Sequence, residues 1–113
     1  MQDQQLKQRI ERIEEAADEA KRACQNGNPP SELRECIATL HQQASATKHA
    51  TQGQESATHD SLRKDVVELE STADRAMQAC RNAGSAIDPQ IDQAVRRAHA
   101  EASSLKKELL QEA

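Results

Sequence analysis

Aliphatic and small residues recur along this chain at alternating steps of four and three. Leu6, Ile10, Ile13, Ala17, Ala20 and Cys24 form one such series, and Leu62, Val66, Leu69, Ala73, Ala76 and Cys80 form another. Two further series follow: Leu33, Ile37, Leu40, Ala44 and Thr47, then Ile91, Val95, Ala98, Ala102, Leu105 and Leu109. Steps of four and three keep side chains on one face of an α-helix, so each series is a buried seam flanked by charge. Four seams predict four helices, over about 3 to 26, 29 to 51, 58 to 83 and 88 to 111.

The turns carry their own signals. Asn26 and Gly27 suit a helix C-cap, and Asn28 before Pro29 suits an N-cap followed by proline at the first helical position. Ala83 and Gly84 repeat the stop, and Asp88 before Pro89 repeats the start. Both turns are short, so each helix pair is expected to be antiparallel. Residues 45 to 60 are polar, contain Gly53 and have no aliphatic larger than Ala. They predict the middle connection, with the second helix fraying into it.

Shifting the chain by 56 lays residues 6 to 26 on 62 to 82, with eight of 21 positions identical, among them Glu14/Glu70, Asp18/Asp74 and Cys24/Cys80. A shift of 58 then matches Ile37/Val95, His41/His99, Ala44/Ala102, Ser45/Ser103 and Lys48/Lys106. One hairpin used twice explains both registers. The expected fold is therefore all-α, an up-down-up-down four-helix bundle in one domain, 1–113. Hairpin one spans about 3 to 52, the polar connection about 52 to 58, and hairpin two about 58 to 111, the hairpins being related by a pseudo-twofold rotation.

Composition narrows what such a bundle can be. The 113 residues include no Phe, Trp or Tyr, and only eight Leu, five Ile and three Val. That core is thin and rich in Ala. Large residues of the second and fourth helices would meet Ala grooves near the tight turns. At the far end Leu6, Ile10, Leu62 and Leu109 gather, but the second helix offers only Ala44, Thr47 and Thr51. A groove, an exposed apolar patch or a dimer contact is expected there.

A net charge of −4 and the lack of any aromatic ring disfavour nucleic acid, which needs cationic surface and stacking partners. No apolar run approaches the ~18 residues that cross a bilayer, and the first residues form no apolar signal segment. A cytoplasmic location is expected.

The chemistry-bearing residues are few. Cys24 and Cys80 hold equivalent seam positions, and Cys36 lies near their level. Three thiols converging in a bundle could hold Cu(I) or Zn, but cysteine in an Ala-rich seam is more often a small hydrophobe. His41 and His99 follow seam residues and belong to no Glu-x-x-His or His-Glu-x-x-His motif, so they read as histidines on the core's flank. His49 and His59 fall in the connection. The acidic residues are interleaved with basic ones; Asp18 with Arg22 and Asp92 with Arg96 have the spacing of helix-surface ion pairs. No phosphate loop or nucleophile motif is present. These features point to a non-enzymatic interaction or scaffold protein without a cofactor, engaging a protein partner or its own copy. The alternative is a thiol-dependent metal-binding protein using Cys24, Cys36 and Cys80.

Overall fold

The computed structural model describes residues 3–27, 29–52, 59–84 and 87–111. They form four helices: α1, Asp3–Gly27; α2, Ser31–Gln52; α3, His59–Ala83; and α4, Pro89–Gln111. Among the described residues there is no strand. The principal contacts join α1 to α2, α2 to α3, α3 to α4 and α4 back to α1, closing a ring of four. The body measures 41 × 25 × 18 Å. A 25-residue helix is about 37 Å long, so the helices lie side by side over their full length.

Contacts between helices join opposite ends. Arg9, early in α1, meets Glu101 and Glu108, late in α4, whereas Glu19 meets Arg97. Lys48, late in α2, reaches Glu14, and the thiol of Cys24 feels Arg34 near the start of α2. All four seams are buried as their spacing requires, and two layers result. Toward the tight turns, Leu33, Ile37, Ile91 and Val95 pack on Ala20, Ala23, Ala76, Ala79 and the thiols. Toward the other end, Leu6, Ile10, Ile13, Leu62, Val66, Leu69, Leu105 and Leu109 form the bulkier layer with Leu40 and Ala44.

The four residues expected to gather at this end are covered: Leu6, Leu62 and Leu109 are 3%, 5% and 1% exposed and Ile10 is fully buried, so apolar surface here is left to their neighbours Val67 and Leu110. The thinner wall on α2 is filled by threonine. Thr47 is buried in α2, and its hydroxyl donates to the Gln43 carbonyl at 2.8 Å. Thr51 does the same to the Lys48 carbonyl at 2.7 Å. A hydroxyl satisfied within its own helix leaves the methyl free to pack. Over 45–52, the stretch expected to fray, α2 stays helical to Gln52.

The turns differ. In the second, Gly84 takes the left-handed conformation, φ 63°, and ends α3. Asp88 Oδ1 accepts the Gln90 N–H at 2.9 Å, and the Asp88 carbonyl accepts the Asp92 N–H at 3.2 Å. Asp88 is the expected N-cap with Pro89 at the first helical position. In the first turn, Gly27 remains inside α1, and α2 begins at Ser31, two residues later than expected. There the Pro30 carbonyl accepts the first helical bond, from the Arg34 N–H at 3.1 Å. The expected cap at Asn28 lies outside the described residues. Asp88→Ala should cost about 1 kcal/mol, read as a lowered midpoint in thermal melts followed by helical circular dichroism.

Candidate functional site: twin ion-pair clusters and three buried thiols

Two polar clusters stand on the flanks of the core. His41 Nε2, from α2, lies 3.4 Å from Asp18 Oδ1 and 3.8 Å from Glu14 Oε2, both on α1. Lys48 Nζ, two turns further along α2, lies 3.5 Å from the other Glu14 oxygen. In hairpin two, His99 Nε2 lies 3.7 Å from Asp74 Oδ1 and 3.8 Å from Glu70 Oε2, and Lys106 Nζ is 3.6 Å from Glu70 Oε1. The two clusters use the same residue types in the same roles. Glutamate and aspartate are four apart, so they share one helix face. Histidine and lysine are seven apart, two turns, and face the same partner helix. Each cluster ties together the two helices of one hairpin, half-sheltered by the core.

The sequence reading placed His41 and His99 correctly on a flank but gave them no partners. The signal was available, because Glu14/Glu70, Asp18/Asp74, His41/His99 and Lys48/Lys106 are all identities under the two shifts. Identical polar residues on both helices of a hairpin imply a contact between them. The expected surface pairs are present too, Asp18–Arg22 at 2.7 Å and Asp92–Arg96 at 2.9 Å. Of the weaker candidates, His49 is exposed, and the side chain of His59 lies outside the described residues.

The three thiols are brought into one neighbourhood. Cys24 and Cys80 are buried in the layer nearest the tight turns, and Cys36 packs against it half-buried; none forms a disulfide. Burial pushes all three thiols above the ordinary cysteine range. Cys80 reaches about 11, through burial first, then the negative charge of Asp92, with smaller contributions from the Cys24 and Cys36 thiols and Arg96 opposing. Nucleophilic and soft-metal chemistry need the thiolate, and this environment favours the protonated form. Among the described residues, no group of three or more His, Cys, Asp or Glu is arranged to hold a metal ion. The thiol geometry therefore gives the metal reading no support.

Between α2 and α3 the polar chemistry is different. Thr72 is buried, and its hydroxyl donates to Gln43 Oε1 at 2.7 Å while accepting from Arg75 at 3.3 Å. Asp65 and Glu68 line a cleft of about 120 Å³ with Gln43, Ala46 and Thr47. Burial, then Glu68, raises the Asp65 carboxyl above its usual range. The larger surface depressions are open and of mixed polarity. One of about 490 Å³ between α1 and α4 is lined by Glu19, Arg22, Gln90, Gln93 and Arg97 among others. Its charges are already engaged, Glu19 with Arg97 and Arg22 with Asp18.

The fold defines a four-helix bundle. No protein-family model, curated protein or solved structure matches the chain. No helix among the described residues is long and apolar enough to cross a membrane.

Proposed function

We propose that this chain is a non-enzymatic helical scaffold, built from two copies of one hairpin, whose product is a surface offered to another protein chain. The observation that carries this reading is the doubling of the polar cluster. An acid, a base and a histidine in proximity would ordinarily invite a catalytic interpretation. Here the same four residue types occur at equivalent places in both hairpins, each bridging the helices of its own hairpin. A clamp needed by the hairpin as a unit is repeated whenever the unit is repeated. The same doubling supports the internal duplication. Unpaired thiols are what a reducing compartment maintains, which supports a cytoplasmic location.

The surface offers one apolar feature of note. Val67 and Leu110 are the large hydrophobics left exposed among the described residues, at 39% and 50%. Glu70 pairs with Lys106 across α3 and α4. One helical turn from that pair, toward the start of α3 and the end of α4, stand Val67 and Leu110 at a common level. Their equivalents in hairpin one, by the same two shifts, are Glu11 and Gln52. The apolar pair thus belongs to hairpin two alone, and a second copy is the partner we test first. Light scattering at micromolar concentrations should give about twice the 12.5 kDa chain mass. Val67→Glu/Leu110→Glu should return the mass to that of one chain. A single-chain mass for the unaltered protein at every concentration would remove self-association from the proposal.

A further inference from the structure

Two equivalent hairpins face a problem of choice: each could pair with its own kind, in a second copy, as readily as with the other. The seam between hairpins shows how the choice is made. On α1 the flank facing α4 carries Arg9, Arg12 and Glu19; the equivalent flank of α3, facing α2, carries Asp65, Glu68 and Arg75. At these three positions the charge is inverted at a shift of 56, whereas Arg22 of the same flank corresponds to neutral Gln78 and neutral Gln8 to Lys64.

The facing helices fit these opposite patterns. Arg9 bonds to Glu108, reaches Glu101 at 3.8 Å and donates to the Ser104 hydroxyl at 2.8 Å. Arg12 lines the same cleft as Arg9 and Glu108. Glu19 pairs with Arg97 at 2.8 Å. Across the other seam, Asp65 and Glu68 face neutral Gln43, Ala46 and Thr47. Arg75 acts on the same Cys36 thiol as the acids Glu32 and Glu35, which places opposite charges around that point.

We propose that these inverted charges are the specificity-determining residues of hairpin pairing, directing hairpin one to hairpin two and barring each from its own kind. If two copies of hairpin two met through these faces, Asp65 would replace Arg9 opposite Glu101 and Glu108, and Arg75 would replace Glu19 opposite Arg97. All of those meetings join like charges. If two copies of hairpin one met, Arg9 would stand over Gln43 and Ala46 with its carboxylate partners gone, and Glu19 would replace Arg75 near Glu32 and Glu35. Neither assembly keeps a favourable pattern, whereas opposite hairpins keep all of it. A second copy can therefore engage this seam only by exchange, its hairpin two docking on the first copy's hairpin one with every native contact retained.

The inference rests on the equivalence of the hairpins and not on the self-association proposed above. Its test is a charge exchange with rescue. Arg9→Asp/Glu19→Arg gives hairpin one the charges of hairpin two at two of the three positions. Its thermal midpoint should fall by about 5 to 10 °C at low salt and by less at high salt, because partly exposed charges are screened. Adding Glu101→Arg, Glu108→Arg and Arg97→Glu restores complementarity and should recover at least half of the loss. Should the first variant fail to fold, folding of the compensated variant is the supporting result. A first variant that melts with the unaltered protein, or a compensated variant no more stable than the first, overturns the proposal. The rescue is read from the midpoint whatever the mass of the species, so it stands apart from the light-scattering result.

Discussion

Leu40→Ala should cost about 3 kcal/mol and lower the thermal midpoint by roughly 15 °C. Leu40 is fully buried among Ile10, Ile13, Leu69 and Leu105, where α2 otherwise supplies Ala44. Elsewhere on its seam α2 places only Leu33 and Ile37 as large side chains, both in the other layer. Removal would leave a cavity among packed Ile and Leu side chains that relax into it only in part, so the cost falls within the usual range for leucine truncation, about 2 to 5 kcal/mol. Urea or thermal denaturation followed by helical circular dichroism measures it. A midpoint within about 3 °C of the unaltered protein would mean that the layer around Leu40 is not packed as described.

The second large effect is expected in alkali. Cys80 titrates near 11 in the folded chain against a reference of 9.0. Below about pH 9 both folded and unfolded chains hold the thiol proton, and Cys80 adds no pH dependence. Between 9 and 11 the unfolded chain releases that proton while the folded chain keeps it, so stability falls as pH rises. The full decline from this thiol is on the order of 2 kcal/mol. Cys24 and Cys36 are shifted in the same direction and steepen it. The chain has no tyrosine to titrate in the same window. Melting midpoints from pH 8 to 11 should decline, and Cys24→Ala/Cys80→Ala should flatten the decline at little cost near pH 8, since each change removes one sulfur from an Ala-lined seam. An equal decline in the double variant would show that the buried thiols are not its source.

Much of this architecture could be read from residue spacing, and the exceptions share a cause. The seam of α1, from Leu6 to Cys24, and its counterpart in α3 are apolar by residue type as well as by position, so periodicity finds them directly. Thr47 is apolar only by position. Its hydroxyl is satisfied by the Gln43 carbonyl of its own helix, a local bond that no hydrophobicity pattern registers. Spacing puts it in the α2 seam, where it is buried, but carries no sign of the bond that lets a hydroxyl sit there. The late start of α2 is another local matter, because in the consecutive prolines 29 and 30 it is the second carbonyl that accepts the first helical bond. The twin clusters depended on pairing across helices. Glu14 and His41 are 27 residues apart, and only the repeated identities linked them before the helices were brought together. The three thiols were placed in one layer by seam position, but their protonation is set by packing that spacing does not encode.

Alanine lining at the turn end of the bundle also shapes how the protein responds to temperature. Ala20, Ala23, Ala76, Ala79, Ala94 and the thiols bury little hydrocarbon, and alanine has no rotamers to freeze on folding. These small residues therefore gain little from transfer out of water and lose little side-chain entropy, and the apolar bulk of the layer comes from Leu33, Ile37, Ile91 and Val95 alone. With alanine on the facing side, unfolding the layer exposes less apolar area than a core of large side chains throughout, so its contribution to the heat capacity of unfolding is reduced. Small heat-capacity changes give a shallow stability curve, on which enthalpy and entropy vary slowly with temperature. The bundle should hold its modest stability over a broad range and lose little of it on cooling, unlike a domain of equal stability built around aromatic and large aliphatic side chains.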